Sequence, residues 1–279
     1  MGPSVVMMVT LMVIPLAAAF WLGMHLITFQ NISNPTFVGL ENYTFMLSDP
    51  GFWSAMRFTI VYTVITVPIQ IGLGFVIAVL LDQITTFRAV YIAAILLPFI
   101  VTPIVGTLIY RQTFDRYGIY PWLLDEFFNI DINFFRPSNI QFLIFSHAIW
   151  YVTPFAIVTL FAGLQTIPQE PLEAATVDGA NWFQRLFYVV VPRLRSLFVF
   201  IALISIMDAY RVFDSIFVLT KQNPIYNQFE TLMYYNYQVA VNFQRLGRAN
   251  AMSVLTVIGV LIILIPFLYI TYKQQAEVS

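Results

Sequence analysis

Long apolar runs separate short polar segments along the whole chain. Each run is at least 20 residues long, and the six lie at residues 5–27, 58–81, 90–110, 140–165, 197–220 and 249–272. A helix of about 20 residues rises about 30 Å, which matches the hydrocarbon core of a bilayer. The first run lacks the basic flank of a signal peptide and is long enough to span. The pattern therefore predicts an all-α polytopic membrane protein with six transmembrane helices.

Two prolines, Pro98 and Pro103, lie close together in the third run, within the sequence LLPFIVTPIVG. A proline in a spanning helix frees a backbone carbonyl and bends the helix. Ordinary helix packing explains most single prolines in such spans. The pair favours a bent third helix that lines a cavity.

The composition agrees with a membrane protein and excludes several functions. Of the residues, 59% are hydrophobic and 10% are charged, and the mean hydropathy is +0.80. The net charge of −1 and the lack of a basic stripe argue against nucleic-acid binding. The absence of cysteine excludes disulfides and thiolate sites. Because no repeat or linker divides the chain, we expect a single transmembrane domain over residues 1–279.

One segment between the fourth and fifth runs, at about residues 166–193, is unusually polar. Its centre reads EPLEAATVDGANWFQRLFYVVVP. Acidic residues favour the first turn of a helix, Gly179 favours the turn that ends it, and Pro192 closes a second, amphipathic helix. The residues alone leave two interpretations open, a loop that rests on lipid headgroups or a helix that docks in a groove of a soluble partner.

The spacing within this segment resembles the EAA loop of ABC importer permeases. Glu173-Ala174-Ala175 is followed after three residues by Gly179 and after nine more by Val189, with Val191-Pro192 two positions further on. Four segments are similar to the sugar-type permeases of maltose and glycerol-phosphate importers, namely FVGLENY, LLPFIVTP, LQTIPQEPLEAA and DAYRVFDSIFVLT. The chain differs after the last of these, where residues 221–224 read KQNP in place of the family's Gly-Gly-Pro.

The resemblance implies the fold of a type I ABC importer permease that works by alternating access. The first helix of the loop would sit in a cleft of a cytoplasmic ATPase subunit, with a polar contact from Glu173 and close approach at Ala174 and Ala175. The residues assigned to this coupling are Glu173, Ala174, Ala175, Asp178, Gly179 and Pro192. The implied partners are a second permease chain that is homologous but different, two ATPase subunits, an extracytoplasmic solute-binding protein and a carbohydrate.

ATP and magnesium are expected on the ATPase subunits, and this chain is expected to bind no cofactor. Its two lysines, Lys221 and Lys273, are each followed by glutamine, so the phosphate-binding pattern GxxxxGK[ST] is impossible. The loop must then face the cytoplasm of a bacterium or archaeon, and both termini lie on that side of the plasma membrane. The distribution of arginine and lysine leans weakly the other way, and we give the loop more weight.

Three charged residues of the fifth run, Asp208, Arg211 and Asp214, are candidates for the substrate pathway because charge is costly inside a membrane. Asp208 lies about 16 Å into the run, near the middle of the bilayer. At spacings i, i+3 and i+6 the three residues share one side of a continuous helix. They form either a structural ladder of ion pairs or a polar patch for sugar hydroxyls, with Tyr210 stacking on a sugar ring.

Two residues of the fourth run, His147 and Tyr151, are i, i+4 neighbours and share a helix face. A single histidine in a span is either a satisfied packing residue or a ligand for the substrate. The resemblance places both residues in a segment that lines the sugar site of the family, together with Phe99 and Thr102 of the third run. It carries over their positions and not their chemistry, because the side chains differ from those of the maltose type.

Three other functions compete with this interpretation. An intramembrane enzyme is disfavoured because the chain has no cysteine and no HExxH motif, although counting residues does not exclude a Ser–His site. We therefore predict no catalytic residue and no metal ligand. An ABC permease for phosphate, amino acids or peptides would keep the loop, but the aromatic-rich spans favour a sugar or polyol. A secondary transporter or channel would need no ATPase.

Overall fold

The computed structural model describes the backbone of residues 2–221 and 223–276, and their side chains except those of Pro3 and residues 266–276. Met1, Gln222 of the KQNP segment and residues 277–279 of the C-terminus lie outside the described residues.

The regular secondary structure of the described chain is helical apart from one short antiparallel ribbon, in which β1 (His25–Leu26) pairs with β2 (Thr36–Phe37). The first seven helices are α1 Gly2–Gly23, α2 Glu41–Ser48, α3 Pro50–Gln83, α4 Arg88–Ile100, α5 Pro103–Phe114, α6 Ile119–Phe128 and α7 Ile140–Leu164. The next are α8 Glu170–Val177, α9 Trp182–Arg185, α10 Val191–Arg193, α11 Arg195–Tyr210, α12 Asp214–Thr220, α13 Leu232–Tyr237 and α14 Leu246–Ala276. Two π-helical turns cover Leu186–Val190 and Gln238–Asn242, and a 3-10 turn covers Pro224–Phe229.

The described helices give four candidate membrane spans, or six if each of two bent helix pairs counts as one span. The four single helices that are long and apolar enough are Ser4–Gly23, Pro50–Gln83, Ile140–Leu164 and Leu246–Ile265. The other two are bent pairs, Arg88–Ile100 with Pro103–Phe128 at 100°, and Trp182–Arg193 with Arg195–Tyr210 at 66°. Counting each bent pair as one span confirms the predicted all-α protein with six spans.

The bend in the third span lies where the two prolines predicted it. The α4 helix ends at Ile100, and Thr102 has an extended ψ of 142° immediately before Pro103. The ring of a proline disfavours helical geometry at the preceding residue, and proline is common at the first position of a helix, so Pro103 starts a new helix. The predicted continuous span at residues 90–110 is therefore two helices, α4 and α5.

The predicted fifth span at residues 197–220 is wrong as a single helix. The α11 helix ends at Tyr210, and α12 begins at Asp214 after three non-helical residues. The carbonyl of Val212 within this break accepts a hydrogen bond from the Thr231 hydroxyl at 2.6 Å. A partner 19 residues away thus satisfies a backbone group that a continuous helix would have used.

The chain forms two compact units. The first contains the residues up to Ile60 together with Tyr210–Phe213 and Tyr226–Pro266. Within it, Asn42 Nδ2 donates to the carbonyls of Gly23 and His25, both at 2.9 Å. Asn42 belongs to the FVGLENY segment, so this segment fastens the end of α1.

Among the described residues, the second unit contains Val61–Ala209, Asp214–Ile225 and the residues from Phe267 to Ala276. Its core is made of small and aliphatic side chains from α3, α7 and the segment leading into α11, with Ala78, Ala156, Leu160, Val190, Leu194 and Ile201 buried. A Cβ at Gly74 would lie 2.7 Å from the Ala156 Cβ, and one at Gly163 would overlap Leu197. Small residues at these crossings let the helices approach closely, as is usual between membrane helices.

Candidate functional site

The polar loop at residues 166–193 forms two short helices joined by a glycine turn. Two acids, Glu170 and Glu173, lie in the first turn of α8. The helix ends in a Schellman motif, in which the amide of Gly179 donates to the Thr176 carbonyl at 3.1 Å and that of Ala180 to the Ala175 carbonyl at 2.9 Å. Gly179 has a φ of +81°, and no heavy atom lies within 4 Å of a Cβ placed there. The position therefore requires glycine for its backbone angle and not for lack of space.

The second helix of the loop starts in a capping box. Gln184 N donates to the Asn181 side chain at 2.9 Å, and Asn181 N donates to the Gln184 side chain at 2.7 Å. Arg185 Nη1 donates to the Thr176 hydroxyl at 2.8 Å and so ties this helix back to α8. These local bonds make the turn between the two helices a defined structure.

The outer face of the loop is open. Glu173, Ala174, Asp178 and Pro192 are exposed and Ala175 is partly buried, while Leu172 packs against the core of the second unit. Exposed apolar side chains continue this face, namely Val177 (87% exposed), Phe183 (65%), Phe187 (58%) and Tyr188 (79%). Acidic and apolar groups side by side on a structured loop suit docking onto another protein.

A second group of predicted residues meets where α5 packs on α7. His147 is 4% exposed, and its Nε2 lies 3.1 Å from the Thr107 hydroxyl oxygen. The Thr107 hydroxyl itself donates to the Pro103 carbonyl at 2.7 Å. Thr107 therefore accepts from His147, and the Nε2 atom carries the proton. Among the described residues His147 Nδ1 has no hydrogen-bond donor, so the tautomer leaves a buried nitrogen that is free to accept a hydrogen bond.

Aromatic rings extend this group toward the bend of the third span. The Tyr151 ring stacks on His147 with centroids 5.8 Å apart, and its hydroxyl donates to the Val101 carbonyl at 3.2 Å. The Phe99 ring lies 6.3 Å from that of Tyr151 and is 43% exposed. Thr102 is exposed at the start of α5. The structure thus brings together Phe99, His147 and Tyr151 beside the bend at Thr102.

The three charges of the fifth span do not share a helix face. Asp208 lies in the last turn of α11, Arg211 in the break, and Asp214 at the start of α12. The prediction that the three residues share one face of a continuous helix is therefore wrong, because the helix breaks between Tyr210 and Asp214. Tyr210 is 4% exposed, so its ring has no open face for stacking on a sugar in this conformation.

Two polar residues of the second unit were missed by the sequence. Arg111 of α5 donates from Nη1 to the carbonyls of Val218 and Leu219, at 2.6 and 3.0 Å. Gln70 in the second span is 3% exposed, donates to the Ala148 carbonyl at 3.3 Å, and has a buried Oε1 with no donor in the described part of the chain. Little in the sequence marks either residue as functional, because Gln70 carries no charge and Arg111 stands at the end of an apolar run, where a charged residue is common.

Across residues 2–221 and 223–276, no group of three or more histidine and acidic side chains is placed to hold a metal ion.

Comparison with known proteins shows relatives over most of the chain. The trehalose/maltose transport system permease protein MalF of Thermococcus litoralis is 32% identical over 95% of this chain and 90% of its own length. The arabinooligosaccharides transport system permease protein AraP of Halalkalibacterium halodurans is 31% identical over 88% of this chain and 79% of its own. The inner membrane ABC transporter permease protein YcjO of Escherichia coli is 30% identical, with coverages of 78% and 74%. No family model matches the chain.

Among solved structures, a chain of the bacterial alginate ABC transporter in complex with an alginate pentasaccharide-bound periplasmic protein has the same fold. Its TM-score is 0.83 at 15% identity, over 97% of this chain and 92% of that one. At this identity the likeness shows the fold alone.

Proposed function

The chain belongs to the family of carbohydrate ABC transporter permeases, and we propose that it forms one half of the path for a disaccharide, oligosaccharide or polyol. It is a multi-pass membrane subunit of a binding-protein-dependent importer, and it is a transport component and not an enzyme. The intramembrane enzyme and the secondary transporter are therefore set aside. The observation that carries the proposal is the relationship to sugar permeases at about 30% identity over nearly the full length.

The proposed cargo rests on the relatives, which are named for trehalose or maltose and for arabinooligosaccharides. The chemistry of the α5–α7 contact is compatible with such a cargo. Aromatic rings stack on sugar rings, and the Phe99 ring beside this contact is 43% exposed. His147 is buried in this conformation, so its Nδ1 would accept from a sugar hydroxyl once the contact opens. We assign the pathway to Phe99, Thr102, His147, Tyr151, Asp208, Tyr210, Arg211 and Asp214. The Tyr210 side chain is buried in this conformation, so its ring does not stack on a sugar here.

The proposed coupling element is the loop at residues 166–193. Its first helix docks in a cleft of an ATPase subunit, with Glu173 in polar contact and Ala174 and Ala175 at close approach. Asp178, Gly179 and Pro192 set the turn and the end of the loop. Closure of two ATPase subunits then moves α8, and alternating access follows from that movement.

The proposed assembly contains a second permease chain, most naturally a homologue. In support, the span of α1 is highly apolar, and no residue of its most apolar 18-residue window is buried within this chain. Such a helix is covered by lipid or by another subunit. We place both termini and the coupling loop on the cytoplasmic side, where the ATPase subunits hold ATP and magnesium.

Reconstitution tests the cargo. The permease pair, its ATPase and its binding protein are placed in proteoliposomes, and uptake of radiolabelled trehalose, maltose and arabinooligosaccharides is measured with and without ATP. We expect ATP-dependent uptake of at least one carbohydrate, and none of phosphate, amino acids or peptides. Uptake of a non-sugar alone would overturn the assignment of cargo and leave the family unchanged.

A further inference from the structure

Arg111 in the last turn of α5 holds the end of a neighbouring helix. The two carbonyls that it binds, those of Val218 and Leu219, belong to the last turn of α12. A helix leaves its final carbonyls without intrahelical partners and carries partial negative charge there. A guanidinium at this place satisfies the carbonyls and complements the helix dipole.

The guanidinium is itself fixed in place. Its central carbon lies 4.7 Å from the centroid of the Phe135 ring, within the range of a cation–π contact. A planar group with several donors binds two carbonyls and stacks on a ring at the same time, which a lysine ammonium does not.

The same helix also holds the candidate pathway on α7. Thr107 of α5 bonds His147, and Tyr110 donates to Ser146 at 2.8 Å. Arg111 lies one helical turn after Thr107, so a single rigid helix contacts the α7 side through Thr107 and Tyr110 and the end of α12 through Arg111.

The α12 helix is short and well packed. Its seven residues span about 10 Å, and Ile216 and Leu219 are 0% and 1% exposed. It packs against both α5 and α7. Asp214 is the first residue of this helix. Apolar packing holds α12 against the rest of the second unit. The hydrogen bonds from Arg111 to its last turn therefore set where α12 lies along its axis and how it is rotated about that axis.

We propose that Arg111 is a positioning residue for the carbohydrate: by holding α12 at its C-terminal end, it sets Asp214 relative to His147 and Tyr151. This inference rests on the proposed function, because Asp214, His147 and Tyr151 belong to the pathway assigned there. Arg111 acts through the helix that it caps.

The test compares Arg111→Gln and Arg111→Lys with the matched control Arg116→Gln, an exposed arginine just after α5. Each variant is assembled with its partners, and two quantities are measured. One is the equilibrium affinity of the assembled permease, without binding protein, for whichever of trehalose, maltose and arabinooligosaccharides the wild type imports. The other is the ATPase rate without carbohydrate.

We expect Arg111→Gln to weaken carbohydrate affinity about five- to tenfold, in the range of other couplings through protein structure, with an unchanged ATPase rate. Arg111→Lys gives an intermediate affinity and Arg116→Gln the wild-type value. Wild-type affinity in Arg111→Gln overturns the inference, and so does wild-type affinity in Arg111→Lys if the glutamine variant fails to assemble. A wild type that imports no carbohydrate contradicts the proposed cargo instead.

Discussion

Thr107 accepts a hydrogen bond from His147 across the contact between α5 and α7, at 3.1 Å. The bond fixes the protonated nitrogen of His147 and leaves the other as a buried acceptor. A histidine that a sequence marks only as an intramembrane polar residue is thus oriented by a threonine 40 positions away. The first prediction follows from this pair.

Thr107→Val removes the acceptor for His147 and keeps the shape of the side chain. We expect a loss of about 1–2 kcal/mol in the free energy of unfolding, because a buried donor is left unpaired. We also expect carbohydrate affinity to fall about threefold to tenfold as the imidazole loses its fixed orientation. Thermal unfolding in detergent and equilibrium binding measure the two effects.

Thr153→Val is the matched control for this variant. The Thr153 hydroxyl is buried in the same unit and donates to the Ile149 carbonyl of its own helix at 2.6 Å. The control should keep wild-type affinity. Equal loss of affinity in both variants would show that His147 orientation is unimportant.

Gly179→Ala tests the turn of the coupling loop. At a φ of +81° an alanine side chain is strained by about 1–2 kcal/mol, although no neighbouring atom blocks it. The second helix of the loop therefore shifts relative to α8, and we expect carbohydrate uptake per ATP hydrolysed to fall several-fold while the complex still assembles. Parallel assays of uptake and ATPase rate give this ratio.

Gly39→Ala provides the comparison, since Gly39 also has a positive φ of +57° with open space around it. It introduces similar strain in the segment before α2 and should leave the ratio of uptake to ATP hydrolysis unchanged. A normal ratio in Gly179→Ala would count against the coupling role of the loop.

We expect the stability of the protein to depend on pH through the buried carboxyl group of Glu230. It is 6% exposed, just before α13, and accepts a hydrogen bond from Gln238 Nε2 at 2.9 Å. Burial raises the pKa of this carboxyl to about 7, and the Gln238 bond opposes the shift. The folded protein therefore binds a proton more tightly than the unfolded chain, so this group's contribution to stability falls as pH rises from about 4.5 to about 7.

The measurement is the unfolding midpoint at pH 5 and pH 8 in wild type and Glu230→Gln. We expect the variant to lose less stability than the wild type between these values, because its amide does not ionise. Glu126→Gln, at an exposed acid of α6, should behave as the wild type does. An identical decline in Glu230→Gln and wild type would rule out Glu230 as a source of the pH dependence.

The features that the sequence predicted correctly depend on local chemistry. The spans follow from apolar runs, the bend from Pro103 acting on Thr102, and the turn from the backbone freedom of Gly179. Each involves neighbours in the chain. These signals are therefore visible without any knowledge of tertiary contacts.

The features that were missed depend on partners far along the chain. Nothing in DAYRVFD marks a helix end, and the break is satisfied by the Thr231 hydroxyl. In the sequence, Arg111 is only a charge at the end of an apolar run. In the structure it caps α12, more than 100 residues later in the chain. Burial of Glu230 likewise depends on tertiary packing, which residue type alone does not reveal.

Cross-linking from the coupling loop tests the central claim most directly. The chain has no cysteine, so a single Ala174→Cys variant can be joined to cysteines introduced in the ATPase cleft. The control is Tyr117→Cys, at a position that is 92% exposed and that the proposed orientation places on the side away from the ATPase subunits. The account predicts an ATPase cross-link from position 174, altered by ATP, and none from position 117. Absence of a cross-link at 174, or equal cross-linking from both positions, would contradict it.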